Sequence, residues 1–278
     1  MRPIVSLSLA ASALLLLALP ATAQRFRSDD GDPTWLSNCR DHDNGGDDHR
    51  GRACEVRAVP VHLAARSIEI DGRQNGSIHV TGWDGDSVRV TARLQAYART
   101  DDVAKRLLGS LSVTTDGRGV RTEGPSMDDE DRTSWAVSYV VYVPRHFDLS
   151  LDAHNGSLRV EEVQGKLELR TTNGSLSLGD VGGDVRARTQ NGSLNIQLAG
   201  ARWSGSGLDA QTQNGSVRLQ IPEHYAAQLE TGTVNGRIHT DIPLTVSGTI
   251  GRRFSIPLNG GGPTIRAITT NGSITIKS

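Results

Sequence analysis

The tripeptide Asn-Gly-Ser occurs six times, beginning at Asn75, Asn155, Asn173, Asn191, Asn214 and Asn271, and Asn235-Gly236-Arg237 is a seventh, variant copy. From Asn155 onward the gaps between copies are 18, 18, 23, 21 and 36 residues. The underlying period is therefore 18, with five extra residues after Asn191, three after Asn214 and one double-length step. The five extra residues fit Trp203-Ser204-Gly205-Ser206-Gly207, which reads as a turn-like insertion. A fixed period of this length means that one supersecondary unit is used repeatedly, and it restricts the fold more than composition does.

Alignment on the asparagine exposes columns. Six residues before it stand Leu149, Leu167, Val185, Leu208, Leu229 and Ile265; three after it stand Leu158, Leu176, Leu194, Val217, Ile238 and Ile274. Five after it come Val160, Leu178, Ile196, Leu219, Thr240 and Ile276, and two before it Ala153, Thr171, Thr189, Thr212, Thr233 and Thr269. Polar residues fill the positions between, so apolar and polar side chains alternate at period two on both sides of each Asn-Gly corner. Each repeat reads as two half-buried strands.

Two architectures accommodate the pattern. Asn-Gly between alternating strands is a strong hairpin signal, so an antiparallel β-sandwich is one of them. The other is a parallel β-solenoid of 18-residue coils, and the constancy of each column favours it. Hairpins set each strand pair separately, whereas coils stacked about 4.8 Å apart place like residues on like. The expected fold is all-β, with aliphatic ladders inside and Asn and Thr ladders at a corner where positive φ is needed. The few aliphatic side chains of one coil cannot offset the backbone entropy of ordering it, so Asn155 to Ser278 should fold as one stack. Composition agrees: aromatic residues are only 4%, and 31 glycines suit many short strands joined by turns.

Some segments depart from the period. At the midpoint of the double step the asparagine slot falls on Arg253, yet Ile256 and Leu258 fill the positions three and five residues later, which predicts a coil without its corner. Ile78 and Val80 fit the columns after Asn75, but Ile68 and Ile70 stand one residue out of phase before it, as a bulge requires. Two or three further coils are expected between Ile68 and Val143. Thr100-Asp101-Asp102 opens a run with Val103, Leu107 and Leu108 that ends at Gly109, a short helix with a capping threonine and a glycine stop. Its expected place is a lid on one end of the stack. After an acidic connector, Met127 to Asp131, Trp135 to Val143 alternates as a long strand stopped by Pro144.

The first residues are an address. Met1-Arg2, the apolar stretch Leu7 to Leu19 and the small residues Ala21-Thr22-Ala23 form a secretory signal peptide over residues 1–23, too short for a membrane anchor. The product is expected to begin near Gln24 and to be exported, to the periplasm or the cell surface. In an oxidising compartment Cys39 and Cys54, the only two cysteines, should form a disulfide worth roughly 3 kcal/mol. The acidic segment 24–60 precedes a solenoid domain over 61–278, with regular coils in 149–278. Within it, Asp41-His42-Asp43-Asn44-Gly45-Gly46-Asp47-Asp48-His49 begins like a calcium loop, but its twelfth position is Arg52 where a bidentate carboxylate is required. A solvated acidic flap is the expectation.

Catalytic signatures are missing. There is no Gly-x-Ser-x-Gly turn, no His-Glu-x-x-His and no phosphate-binding Gly-x-x-x-x-Gly-Lys. Histidines such as His62, His79, His154, His224 and His239 have no ligand spacing, so neither a metal nor a cofactor is expected. Carboxylates that would serve a carbohydrate-cleaving groove reduce to Asp152, Asp180, Asp184 and the adjacent pair Glu161-Glu162, and these read as solvated or turn-forming. Recurrence at one phase also makes Asn-Gly-Ser a structural corner rather than a glycosylation signal. Formal net charge is −1, so no polyanion or nucleic acid is recruited by charge alone.

The stretches TTNGSLSL (171–178), TQNGSLNI (189–196), TQNGSVRL (212–219) and TTNGSITI (269–276), preceded by WAVSYVVYVPRHFDLSLDAHNGSLRV (135–160), resemble the bacterial putative adhesin family, domain of unknown function 4097. The likeness covers roughly Ile68 to Ser278. It implies exported or envelope-associated β-strand repeats, hence a β-solenoid with a surface or envelope role, and it brings no active site.

The expectation is thus a non-enzymatic, exported β-solenoid that binds or scaffolds at the envelope, its partner a protein or glycan rather than a nucleic acid. Arg159, Arg186 and Arg218 are the exposed ladder residues expected to carry binding. The alternatives are a carbohydrate-active β-helix enzyme, by analogy of fold, and a periplasmic assembly or stress-sensing partner. Open stack ends invite self-association. One end is expected under the disulfide flap or the Thr100 helix, the other at Ile276-Lys277-Ser278.

Overall fold

Period-two alternation sends every second side chain of a repeat to one side, and burial follows it closely. The columns six before and three after the asparagines are buried throughout except Ile238, which is only partly covered. The computed structural model describes residues 33–41, 51–127, 133–242 and 252–278. The expected signal peptide over residues 1–23, the acidic stretch beyond Asp41 and most of the 127–131 connector lie outside the described residues.

In chain order the front part comprises α1 (Pro33–Asp41), β1 (Gly51–Val59), β2 (Ser67–Asp71), β3 (Ile78–Trp83), β4 (Arg89–Ala98), α2 (Asp101–Gly109), β5 (Ser112–Thr115), β6 (Gly119–Glu123) and β7 (Ser134–Pro144). The repeats follow as β8 (Asp148–Ala153), β9 (Leu158–Glu161), β10 (Gln164–Asn173), β11 (Leu176–Gly179), β12 (Gly182–Asn191), β13 (Leu194–Gln197), β14 (Gly207–Asn214) and β15 (Val217–Gln220). The last five strands are β16 (Ala227–Asn235), β17 (Ile238–Thr240), β18 (Arg253–Leu258), β19 (Thr264–Asn271) and β20 (Ile274–Lys277).

These strands form two open, mixed sheets of ten. The first has the order β1-β4-β7-β3-β9-β11-β13-β15-β20-β17, the second β18-β16-β19-β14-β12-β10-β8-β2-β6-β5. The strand before each Asn-Gly corner joins the second sheet and the strand after it the first. Repeat strands stack in parallel with like on like: Leu167 faces Leu149 and Val185, Leu176 faces Leu158 and Leu194, and Asn173 faces Asn191. The wholly antiparallel sandwich is thereby excluded, although antiparallel pairs occur at the ends.

Corner geometry comes from neighbours rather than from φ. None of the corner asparagines or glycines has positive φ; at the opposite corner Glu162 (φ 59) and Asp180 (φ 48) are left-handed. Glycine is required because successive repeats touch: a Cβ on Gly174 would stand 2.0 Å from the Gly156 carbonyl oxygen, and one on Gly192 1.9 Å from that of Gly174. The buried Thr189 hydroxyl donates to that same Gly174 carbonyl at 2.8 Å, as Thr171 does to Gly156. Outside them runs an amide ladder. Asn235 donates to Asn271, Asn271 to Asn214, Asn214 to Asn191, Asn191 to Asn173, Asn173 to Asn155 and Asn155 to Asn75, at 2.7–3.1 Å.

Several expectations are corrected. Arg253 to Leu258 is no coil: β18 pairs antiparallel with β16, Ile256 opposite Leu229, and forms an edge of the second sheet. Nor do Ile276-Lys277-Ser278 end the stack, since β19 lies between β14 and β16 and β20 between β15 and β17. The helix α2 does end at Gly109, with Ser110 as its cap, and Thr100 does cap the start, accepting from the Val103 amide. Trp203 is more than a turn residue, because its ring is buried and its Nε1 donates to the Gly183 carbonyl at 3.0 Å.

Toward the front, β2 and β3 stack on β8 and β9 in parallel, and β6 and β7 on β2 and β3, giving two further layers. Asp71 pairs with Asp152 and Asn75 with Asn155, so one extra residue must be absorbed between them; Arg73 takes φ 53 there. β1 and β4 extend the first sheet beyond this, and α2 packs on both, burying Ala104 and Leu108 in the common core. A disulfide between Cys39 and Cys54 ties α1 to β1.

Candidate functional site

Because the interior is filled by aliphatic columns, chemistry is left to the outward rows. On the first sheet the residues four after each asparagine form one row, in spatial order His79, Arg159, Ser177, Asn195, Arg218, Thr275 and His239. Two residues further along runs a second row, Glu161, Gly179, Gln197, Gln220 and Lys277. Ser177 and Gly179 have the least bulk, and a groove of about 690 Å³ crosses the strands at this level, lined by Arg159 and Glu161 of β9, by Ser177 and Gly179 of β11 and by Asn195 and Gln197 of β13. It runs on to Arg218 and Lys277. Glu161 Oε2 lies 3.1 Å from His79 Nε2, and its other carboxylate oxygen lies 3.7 Å from Arg159. Arg218 reaches Asn195 Oδ1 at 3.4 Å.

The outer face of the second sheet is built differently, from alternating charges. Glu168 lies between Lys166 (3.2 Å) and Arg186 (3.8 Å), and Asp209 between Arg188 (2.8 Å) and Arg266 (2.9 Å). Burial acts to raise the Asp209 carboxyl, but hydrogen bonds from Arg188, Gln211 and Arg266 outweigh it and hold the group below the usual carboxylate range. Arg186 therefore does not share a face with Arg159 and Arg218; it sits on the opposite sheet, paired with Asp184 at 3.3 Å. Sequence parity alone could have separated them, since Arg186 precedes its corner and the other two follow theirs.

Of the carboxylates considered for catalysis, Asp180 occupies a left-handed turn and Asp184 an ion pair. Asp152 alone meets another carboxylate, Asp71 on the adjacent strand. Burial and the Asp71 charge raise its pKa, and the two border a groove of about 340 Å³ that also contains Arg73 and Arg121. That neighbour was hidden in the sequence, because Asp71 lies 81 residues earlier and one position out of phase. The asparagine ladder spends its amides on itself. Among the described residues no group of three or more His, Cys, Asp or Glu side chains is placed to hold a metal ion.

Residues 145–277 match the model of the family Toastrack DUF4097, so the resemblance carried by the repeat motifs holds for the regular repeats. No curated protein matches the chain. Among solved structures, a "putative cell adhesion protein" from Clostridium sporogenes is similar at 8% identity, with TM-score 0.45, over 81% of this chain and 99% of that one. A "putative adhesin" from Bacteroides fragilis is similar at 13% identity, TM-score 0.33, over 81% and 96%. A "putative lipid binding protein" from Parabacteroides distasonis is similar at 11% identity, TM-score 0.35, over 80% and 96%.

Proposed function

We propose that this chain is an exported, non-enzymatic β-solenoid that binds or scaffolds at the bacterial cell envelope through the grooved outer face of β9, β11, β13, β15 and β20. The observation that carries this reading is the in-register stack itself. Side chains at one phase are held at a fixed spacing of about 4.8 Å on a rigid backbone, which suits recognition of an extended ligand and leaves no reacting group poised over the groove. The family match supports an envelope setting, and the Cys39–Cys54 disulfide supports export to an oxidising compartment. No helix among the described residues is long and apolar enough to cross a membrane.

Sedimentation of the purified protein with envelope material tests this. Arg159→Ala with Arg218→Ala should weaken binding about tenfold or more, while Arg186→Ala on the opposite face should leave it unchanged. Equal loss with all three would remove the groove from the account. Cell fractionation separates a surface adhesin from a periplasmic assembly partner. The Asp71–Asp152 pair favours a second, enzymatic reading; release of reducing sugar from envelope glycan that Asp152→Asn abolishes would establish it.

A further inference from the structure

We infer that the groove's ligand is a linear, carboxylate-bearing polysaccharide lying across the strands from Lys277 to Arg159. This rests on the reading of that face as the binding surface. Among the side chains that line the groove, Arg159, Arg218 and Lys277 are cationic and Glu161 is the one carboxylate; Glu161 is held by His79 and Arg159, which leaves Arg218 and Lys277 without a carboxylate side chain from the lining. The whole chain, by contrast, has a formal net charge of −1, so the lining of this groove is more positive than the chain as a whole.

Spacing sets the ligand's length. Arg159 on β9 and Arg218 on β15 are three strand steps apart, about 14 Å, and Lys277 lies on the next strand beyond. Only an oligomer reaches all three. Between the cations stand Ser177, Asn195, Gln197 and Gln220, whose hydroxyl and amides can both donate and accept, as a chain of sugar hydroxyls requires. The groove contains no Trp, Tyr or Phe, so it offers no platform for stacking bases. Polyphosphate or nucleic acid carries a charge every few ångströms and would leave most of them unmatched here. Sparse carboxylates separated by hydroxyls fit the sparse cations separated by amides, and the arginine fork is matched to a carboxylate.

The test is calorimetric titration of the full chain with polygalacturonate and with hyaluronan, against fully methyl-esterified polygalacturonate, dextran and polyphosphate. Binding of an acidic glycan is expected, at least tenfold weaker for the ester and for dextran, and declining as salt rises. Arg159→Gln and Arg218→Gln should each weaken it about tenfold and Arg186→Gln not at all, with unchanged thermal unfolding certifying the fold. Equal binding of ester or dextran, lost in Arg159→Gln and Arg218→Gln, would overturn the acidic ligand while leaving the face as the binding surface. Tighter binding of polyphosphate would likewise overturn the glycan. Binding of no probe, or binding insensitive to both groove arginines, would overturn the face and the ligand together.

Discussion

Two aspartates on the outer face of the second sheet respond oppositely to their surroundings, and the difference predicts opposite mutants. Asp209 is held low by Arg188, Gln211 and Arg266 despite its burial, so its stabilisation is present above the unfolded pKa near 3.9 and lost as pH falls through the lower folded value. Asp209→Asn should destabilise at pH 7 by about 0.5–1 kcal/mol, a penalty that shrinks toward pH 2–3. Asp152 is raised by burial and by Asp71, so its ionised form opposes folding at neutral pH. Asp152→Asn should raise the unfolding temperature at pH 7 and lose that advantage in acid. Thermal melts at both pH values check the pair; a like sign at pH 7 would refute this account. At the corner, Gly192→Ala has to push a Cβ away from a carbonyl 1.9 Å distant and should cost about 1–3 kcal/mol or more, measured by urea denaturation. The recurrence of Asn-Gly was plain in the sequence, but its cause was not: one repeat shows which residue recurs, whereas the close approach that demands glycine exists only between two repeats.

At the scale of elements, alternation was readable and direction was not. The sequence pattern of β18 places Ile256 on the inner side, and it is buried there, yet the strand runs antiparallel to β16. Period two marks a face equally well in either direction, so a spacing that fits a coil also fits a reversed edge strand. Likewise Arg159, Arg186 and Arg218 look alike as exposed cations, and only the division of each repeat between two sheets separates the groove from the compensated face. The disulfide was legible because two cysteines have one possible pairing within the chain, and the expected export made that pairing the one to look for. Its position explains its weight: α1 packs chiefly on β1 at the end of the first sheet, with Arg93 of β4 over the Trp35 ring, and Arg52 of β1 also donates from Nη1 to the Cys39 carbonyl at 2.9 Å. Cys39→Ala with Cys54→Ala should cost about 3 kcal/mol, and reductant should lower the stability of the parent chain by as much while leaving the variant unchanged. Resistance of the parent to reductant would show that α1 holds without the bond.

For the whole molecule, the order of the stack differs from the order of the chain. β14 and β15 lie directly against β19 and β20, and only then come β16 and β17, so the last repeat is an interior layer. A simple repeat array loses one neighbour contact when its last unit is removed; here the loss opens the core on two sides. Leu208 and Val217 would lose Ile265 and Ile274 from one side, and Leu229 would lose Ile265 from the other. Among the described residues β16 is also the only strand paired with β18, so both depend on β19 for their strand pairing to the rest of the second sheet. Ile265→Ala should therefore cost about 2–5 kcal/mol, and hydrogen exchange should show amides of β16 and β18 losing protection together with β19. Amides of β8 and β10, several layers away, should keep theirs until global unfolding. A chain ending at residue 262 should lose the cooperative unfolding of β14 through β18 altogether. Retained protection in β16 and β18 after either change would mean that these strands dock without the inserted repeat, contrary to the strand order.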